Sequence, residues 1–203
     1  YTYIYNKILE DANYPDCWKV GHIIPIPKIK NLTELNHMRP VTLTSVPSKV
    51  FEKLIKAELY KHIKHHLDPY QFAYRKNRST EDAIGVLVHE ALKHIDQNSK
   101  NYFRCLMIDF ISAFNTMLAH ILTNQLINLS VPTRLTMLIQ NFLLNRKQYT
   151  IVNGRMSEMI ICNTGSPQGC VLSPFLFIIY TNELQSGNLD KVIVDKWSWW
   201  QVQ

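Results

Sequence analysis

A β-hairpin signature places the firmest limit on how this chain folds. Residues 148–152 and 155–161 are short runs rich in apolar and β-branched side chains, and the dipeptide Asn153-Gly154 separates them. Asn-Gly is favoured in the two-residue turns that join antiparallel strands, because both residues adopt positive φ there at low cost. The chain is therefore expected to contain antiparallel sheet.

Helical patterns surround the hairpin, so helices and strands are mixed along the chain. One helix is predicted after Ser45 and Pro47, where apolar side chains recur at helical spacing up to Ile63. Another is predicted at the capping-box pattern Ser79-Thr80-Glu81-Asp82. Further predicted elements are helices at 1–17, 112–129, 133–144 and 171–184, a short strand near Val41 and a buried strand at 102–109. Residues 18–30 are predicted to be a strand or extended segment, and the alternating prolines within 23–28 suit an edge strand or an exposed ribbon. This mixture predicts an α+β fold.

The composition is that of a folded protein. Hydrophobic residues make up 46% of the 203 residues and charged residues 19%, which excludes wholesale disorder. The longest nearly apolar run, 171–180, is too short to span a bilayer, so no membrane is expected as a partner. Tyr1 opens the chain without an initiator Met, and we expect the sequence to be a fragment of a longer reading frame. The spacing of the four cysteines suits neither zinc nor redox chemistry, which favours reduced thiols inside the cell, in the cytoplasm or the nucleus.

Positive charge is concentrated in the first half of the chain. The formal net charge is +6, yet between Lys19 and Arg78 twelve Lys and Arg residues stand against four Asp and Glu, a local excess of eight. Such a block suits a polyanion such as nucleic acid, because Lys and Arg displace counterions from phosphates. A solvated basic helix face gives the same pattern, and charge alone does not separate the two.

An acidic residue, Asp109, closes the short apolar run at 102–109. At the end of a buried strand its carboxylate would lie at the rim of a sheet, a rigid place to hold a hard cation such as Mg²⁺. Asp109 could equally cap the helix predicted to start near Ser112. The residue by itself therefore leaves both roles open.

Five blocks of sequence give Asp109 a context. They are Trp18-Lys19 through Pro25-Ile26-Pro27-Lys28; Met38-Arg39-Pro40-Val41-Thr42-Leu43-Thr44-Ser45 with Lys49 and Glu52; Gln71-Phe72-Ala73-Tyr74-Arg75 with Arg78-Ser79-Thr80 and Asp82-Ala83; Asp109-Phe110-Ile111-Ser112-Ala113-Phe114-Asn115-Thr116; and Gly165-Ser166-Pro167-Gln168-Gly169-Cys170 through Pro174. In this order they resemble the reverse transcriptases of non-LTR retrotransposons (LINE type). The resemblance covers about residues 15 to 184.

The resemblance implies a right-hand polymerase with antiparallel palm strands backed by helices. Residues 1–184 would form the reverse transcriptase domain, with about 15–101 rich in fingers and about 102–184 a partial palm. The implied activity is RNA-directed DNA synthesis by two-metal nucleotidyl transfer. Its implied partners are an RNA template, a DNA primer and deoxynucleoside triphosphates, with Mg²⁺ as cofactor.

By the same resemblance, roles fall on individual residues. Asp109 would be catalytic and bind the metal, and the carbonyl of Phe110 would be another oxygen donor. Phe114 would lie under the sugar and exclude a 2′-hydroxyl, a discrimination by steric clash. The other implied binding residues are Gln168 and Gly169 beside the nascent base pair, Lys28 and Arg39 near the triphosphate or template phosphates, and Arg75 and Arg78 on the nucleic acid.

Structural roles compete with these assignments. Phe114 could be ordinary helix core, and Gln168-Gly169 could be a turn that starts a helix. Lys28 and Arg39 could be surface charges. His62 and His66 stand one helical turn apart, but without a third ligand they are better explained as exposed helix residues than as a zinc site.

The sequence departs from the family where the next motif should stand. The 203 residues contain no Phe/Tyr-Ala-Asp-Asp tetrad, the hairpin that brings the second carboxylate, and no thumb is recognisable. Residues 185–203 form a divergent tail, in which Asp190 and Asp195 lack the family context. One carboxylate cannot hold two dications, so this chain is expected to be inactive alone. The alternative is a catalytically silent, nucleic-acid-binding fragment of a degenerate element.

Overall fold

A computed structural model describes residues 1–31, 33–105, 107 and 112–184. Within this part the chain forms two compact units. The first joins Tyr1–His66 to Ser112–Tyr180, and the second contains residues 67–105, 107 and 181–184. The α+β prediction is confirmed: seven α-helices accompany one mixed sheet among the described residues.

The sheet belongs to the first unit. Its strands are β1 (Val20–Pro27), β2 (Met38–Leu43), β3 (Arg146–Val152), β4 (Arg155–Met156) and β5 (Ile160–Cys162). Their order is β2-β1-β3-β4, and β5 also pairs with β3. β1 runs antiparallel to β2 but parallel to β3, so the sheet is mixed, whereas we predicted antiparallel strands. The parallel pairing is possible because a long helical connection separates β1 from β3 in the sequence.

The edge predicted at 23–28 is found in the second half of β1, where residues 24–27 pair with β2 alone. Residues Val20–Ile23 of β1 pair with β3, while His22–Pro27 pair with β2. The start of β1 is therefore interior to the sheet, and Pro25 and Pro27 lie beyond the pairing with β3. A proline has no N–H to donate, and the half of a strand with one open side tolerates this.

The hairpin is confirmed at its turn. Asn153 and Gly154 have φ of 52° and 75°, and Val152 pairs with Arg155 across them. The second arm is not the continuous strand predicted at 155–161, because Ser157 interrupts it. The backbone N–H of Thr150 donates to Ser157 Oγ at 3.0 Å, so a side chain replaces a ladder bond and divides the arm into β4 and β5.

Six helices complete the first unit: α1 (Thr2–Asp11), α2 (Val46–Ile63), α4 (Ala113–Thr116), α5 (Ala119–Asn128), α6 (Thr133–Leu143) and α7 (Ser173–Tyr180). Ser45 caps α2 as predicted, by accepting a hydrogen bond from the N–H of Ser48. The helix predicted at 112–129 is divided, because Met117 and Leu118 are extended and Met117 is buried in the core. The largest fully buried side chains of this core include Tyr14, Phe51, Leu122, Leu138 and Ile139.

The second unit contains α3 (Thr80–Asp96), and its predicted capping box is confirmed by reciprocal bonds between Ser79 and Asp82. The strand predicted at 102–109 is wrong for its described part. Residues 102–105 and Met107 have no regular structure, and Met107 is 67% exposed. A short apolar run becomes a strand only where another strand bonds to it, and no described strand pairs with these residues.

Candidate nucleotide and nucleic-acid site

The loop between β5 and α7 is bonded directly to the segment that carries Phe114. The N–H of Ser166 donates to the Phe114 carbonyl at 2.6 Å, and the N–H of Gly165 donates to the Met117 carbonyl at 2.7 Å. Gly165 has φ of +70°, and a Cβ placed on it would lie 2.5 Å from the Phe114 oxygen. Only glycine fits such a conformation at such a distance. Two of the resembling blocks, some fifty residues apart in sequence, therefore meet here.

The same loop lies against β2. The N–H of Thr42 donates to the Gln168 carbonyl at 2.6 Å. A Cβ on Gly169 would lie 3.0 Å from the Thr42 oxygen and 3.2 Å from Val41 Cγ1, and φ is +110° at this glycine. Gln168 and Gly169 are thus held on the strand that also carries Arg39.

Arg39 lies on the β1–β2 ladder, and Lys28 follows the last residue of β1. Ile26 of β1 pairs with Arg39 of β2, and the N–H of Lys28 donates to the His37 carbonyl at 2.8 Å, one step further along. Lys28 is exposed and Arg39 is half-buried. The structure therefore associates Phe114, the Gln168-Gly169 loop and the strand of Arg39 in one unit.

A buried acid, Glu52 of α2, binds the far end of this loop. Its side chain is 0% exposed, and its Oε2 accepts hydrogen bonds from the N–H groups of Val171 at 2.7 Å and Leu172 at 3.0 Å. Its Oε1 accepts from Ser48 Oγ at 3.1 Å, and Ser48 in turn bonds to the hydroxyl of Tyr14 at 2.8 Å. Glu52 stands in the second of the five resembling blocks, but no role was predicted for it. An acid among the apolar positions of α2 was the signal that could have found it.

A buried base, Arg146 of β3, binds the near end of the loop. Its Nη2 donates to the carbonyls of Thr164 at 2.5 Å and Gly165 at 2.9 Å, and its Nε donates to the Leu143 carbonyl at 2.9 Å. Burial lowers the pKa of this guanidinium. Arg146 was not among the predicted site residues, because nothing in the neighbouring sequence distinguishes it from the exposed Lys147 beside it.

The polar cluster inside the loop is structural. Ser173 Oγ donates to the Pro167 carbonyl at 2.8 Å and also contacts Ser166 Oγ and Cys170 Sγ. Burial, with Glu52 nearby, raises the pKa of the Cys170 thiol to about 12. The thiol stays protonated at neutral pH and is no nucleophile.

The two arginines predicted to bind nucleic acid lie in the second unit and differ in their surroundings. Arg75 Nη1 donates to the carbonyls of Asp68 at 2.8 Å and Gln71 at 3.3 Å, so its guanidinium holds a turn. Arg78 is exposed, with its guanidinium 5.1 Å from the centre of the Phe72 ring. Of the two, Arg78 is therefore the more accessible to a phosphate group of a nucleic acid.

The family model described as reverse transcriptase (RNA-dependent DNA polymerase) matches residues 26–196. The chain belongs to the reverse transcriptase family. The match confirms the resemblance to reverse transcriptases, and it continues past the last described residue, Leu184, into the segment predicted to diverge.

Similar proteins in Drosophila melanogaster point to mobile elements. The chain is 28% identical over 184 residues to the RNA-directed DNA polymerase from mobile element jockey, which covers 89% of the chain and 20% of that relative. It is 30% identical over 190 residues to the probable RNA-directed DNA polymerase from transposon BS, covering 91% of the chain and 20% of the relative. It is 29% identical over 186 residues to the probable RNA-directed DNA polymerase from transposon X-element, which covers 90% of the chain and 20% of that relative. The reverse transcriptase is therefore of the non-LTR retrotransposon type, and the chain spans about a fifth of the length of these relatives.

Two of the predicted site residues, the catalytic and metal-binding Asp109 and the substrate-binding Phe110, lie outside the described residues. Within the described ranges no three His, Cys, Asp or Glu side chains gather as metal ligands, so neither a magnesium site nor a zinc site at His62 and His66 is built from them. His62 instead lies 3.5 Å from Glu58 on the same helix. No helix in the described part of the chain is long and apolar enough to cross a membrane.

Proposed function

We propose that this chain forms the fingers and part of the palm of an RNA-directed DNA polymerase, with residues 15–101 richest in fingers and 102–184 in palm. The observation that carries the proposal is the family match over residues 26–196, combined with the hydrogen bonds that join the Phe114 segment to the loop of Gln168 and Gly169, and that loop to β2. Its substrates would be an RNA template, a DNA primer and a deoxynucleoside triphosphate.

The cations of the β1–β2 ladder suit the triphosphate. Arg39 presents a planar fork of donors from an antiparallel ladder, and Lys28 presents a compact charge that is exposed to solvent. Both lie in the basic block between Lys19 and Arg78. We assign phosphate binding to these two residues, and backbone contact with the nucleic acid to Arg78.

The aromatic ring of Phe114 suits selection of the sugar. It is half-buried and lies 5.4 Å, centre to centre, from the ring of Phe177 on α7, so a neighbouring helix supports it. A ring held in this way resists displacement and can exclude a 2′-hydroxyl by steric clash. Replacing Phe114 with Ala should therefore weaken discrimination between deoxynucleotides and ribonucleotides more than it weakens nucleotide binding.

Metal binding stays a prediction centred on Asp109. Because the described residues supply no further cluster of ligands, we derive no catalytic step through Mg²⁺. When bound in this family, Mg²⁺ would activate the primer hydroxyl and neutralise the pyrophosphate. The 203 residues hold no Phe/Tyr-Ala-Asp-Asp tetrad, so we propose that they do not synthesise DNA alone.

Primer extension on an RNA template in Mg²⁺ buffer tests this proposal. The 203-residue chain should not extend the primer, and a chimera that carries the Ala-Asp-Asp hairpin of a relative should. Asp109→Ala should abolish extension by the chimera, whereas Asp190→Ala, in the segment predicted to diverge, should not. If the 203-residue chain extends the primer and its Asp109→Ala variant does not, the prediction that the chain is inactive is wrong.

The second candidate function is nucleic-acid binding without catalysis, which the excess of eight positive charges between Lys19 and Arg78 favours. Binding through phosphates releases counterions, so the affinity for RNA should fall steeply with salt. A flat plot of log K against log salt would exclude a phosphate-binding surface. Steep salt dependence with no effect of added deoxynucleotide would favour this candidate over the polymerase site.

A further inference from the structure

Two buried charged side chains hold the loop that carries Gln168 and Gly169. Arg146 donates to the carbonyls of Thr164 and Gly165 just before these residues, and Glu52 accepts from the N–H groups of Val171 and Leu172 just after them. Each charge therefore binds the backbone group of opposite polarity, on opposite sides of one short loop.

Glu52 is costly to bury, and this makes its presence informative. Its side chain is fully enclosed, and its helical neighbours Phe51 and Ile55 are 0% and 1% exposed. A buried carboxylate destabilises a fold unless its oxygens are fully hydrogen-bonded. Three donors meet this need here, and two of them are backbone groups of the loop. An apolar residue would serve core packing better, so the carboxylate is explained by what it binds.

Glu52 bonds directly only to Val171 and Leu172 in the loop, but the preceding residues of the same loop contact β2. Gln168, three residues before Val171, accepts the N–H of Thr42 at 2.6 Å, and Gly169 lies against Val41. We propose that Glu52 is a positioning residue that holds Gln168 and Gly169 against β2. Its importance for nucleotide binding rests on the function proposed above, whereas its effect on β2 does not.

A simpler role for Glu52 is to cap the start of α7 locally. The two roles differ at Thr42, whose N–H donates to Gln168 and not to Glu52. If Glu52 only caps α7, its loss affects the amides of Val171 and Leu172 alone. If it positions the loop, the amide of Thr42 also loses protection.

Native-state hydrogen exchange of single amides in the full chain separates these roles. In Glu52→Leu we expect the amides of Thr42, Val171 and Leu172 to exchange about tenfold faster, relative to amides of α5 that report global unfolding. Unchanged exchange at Thr42 in a folded Glu52→Leu variant would overturn the proposal.

Glu52→Gln is the matched control. Its amide oxygen can accept both backbone N–H groups, and its amide nitrogen can donate to Ser48 Oγ, which can then donate to Tyr14. Exchange at Thr42 should therefore stay within about twofold of the parent chain. If Glu52→Leu does not fold, Ser48→Ala removes the donor that orients the carboxylate. Exchange at Thr42 should then rise about threefold, and no change would overturn the proposal.

Nucleotide binding supplies the functional arm of the test. The probe is an RNA template with a dideoxy-terminated DNA primer, with and without the next complementary deoxynucleotide in Mg²⁺ buffer. In Glu52→Leu, the gain in primer–template affinity on adding the nucleotide should be about tenfold smaller than in the parent chain. The affinity for the primer–template without nucleotide should stay unchanged, because the variant keeps all its phosphate-binding cations. If the parent chain shows no nucleotide effect, the proposed function fails, and exchange at Thr42 still decides the positioning role.

Discussion

Gly165 is the position where the loop between β5 and α7 is most sensitive to a single methyl group. Its φ of +70° disfavours any residue with a Cβ, at a cost of about 1 kcal/mol. The new Cβ would also lie 2.5 Å from the Phe114 oxygen and 2.7 Å from Asn115 Cα, so the two segments must separate. Separation weakens the bonds from Gly165 to Met117 and from Ser166 to Phe114, each worth about 1 kcal/mol. Gly165→Ala should therefore lower the free energy of unfolding by about 3 kcal/mol.

Gly154→Ala provides a matched control for this substitution. Gly154 has a similar φ of +75°, but a Cβ there meets nothing within 4 Å, so only the backbone term of about 1 kcal/mol applies. In urea denaturation followed by circular dichroism, with a slope of about 2 kcal/mol/M, the midpoint should fall by about 1.5 M for Gly165→Ala and about 0.5 M for Gly154→Ala. Equal shifts in the two variants would refute the close packing of the loop against the Phe114 segment.

Three further predictions concern charged and titratable groups. Arg146→Met should destabilise the first unit by about 2 kcal/mol, because the buried carbonyls of Leu143 and Gly165 and the part-buried carbonyl of Thr164 lose their donor. Urea denaturation measures this loss, and an unchanged midpoint would contradict these hydrogen bonds. Arg78→Ala should lower the slope of log K for RNA binding against log salt by about 1 and leave the free energy of unfolding unchanged. Arg75→Ala should instead lower the free energy of unfolding by about 1–2 kcal/mol. A salt slope that changes in Arg75→Ala but not in Arg78→Ala would contradict this assignment. The folded state holds the proton of Cys170 more tightly than the unfolded state, so its contribution to stability is complete below the ordinary pKa of 9.0 and is lost as pH rises toward 12. When the pH is raised from 8 to 10, the urea midpoint should therefore fall less in Cys170→Ala than in the parent chain. Thiol reagents at pH 8 should label the exposed Cys17 but not the buried Cys170.

Family membership was accessible from sequence because the resembling blocks combine residue identity, order and spacing. The site itself was only partly accessible. The segments that carry Phe114, Gln168 and Gly169 do meet in the structure. The functional roles of these residues stay predictions, as do the nucleic-acid role of Arg75 and Arg78 and the metal role of Asp109. Glu52 and Arg146 escaped notice because their partners are backbone groups, and a backbone N–H or carbonyl leaves no mark on the identity of its residue.

The features that the sequence alone determined are the ones that depend on local chemistry. Ser45 at the start of α2, the reciprocal Ser79 and Asp82 cap of α3, and the Asn153-Gly154 turn each depend on atoms a few residues apart, and each formed as the pattern indicated. Tertiary structure decided the rest: the parallel pairing of β1 with β3, the division of the second hairpin arm at Ser157, and the bonds from Glu52 to Val171 and Leu172. These features join residues up to about 130 positions apart. Which distant backbone groups meet depends on how whole helices and strands pack, and no local pattern records that outcome.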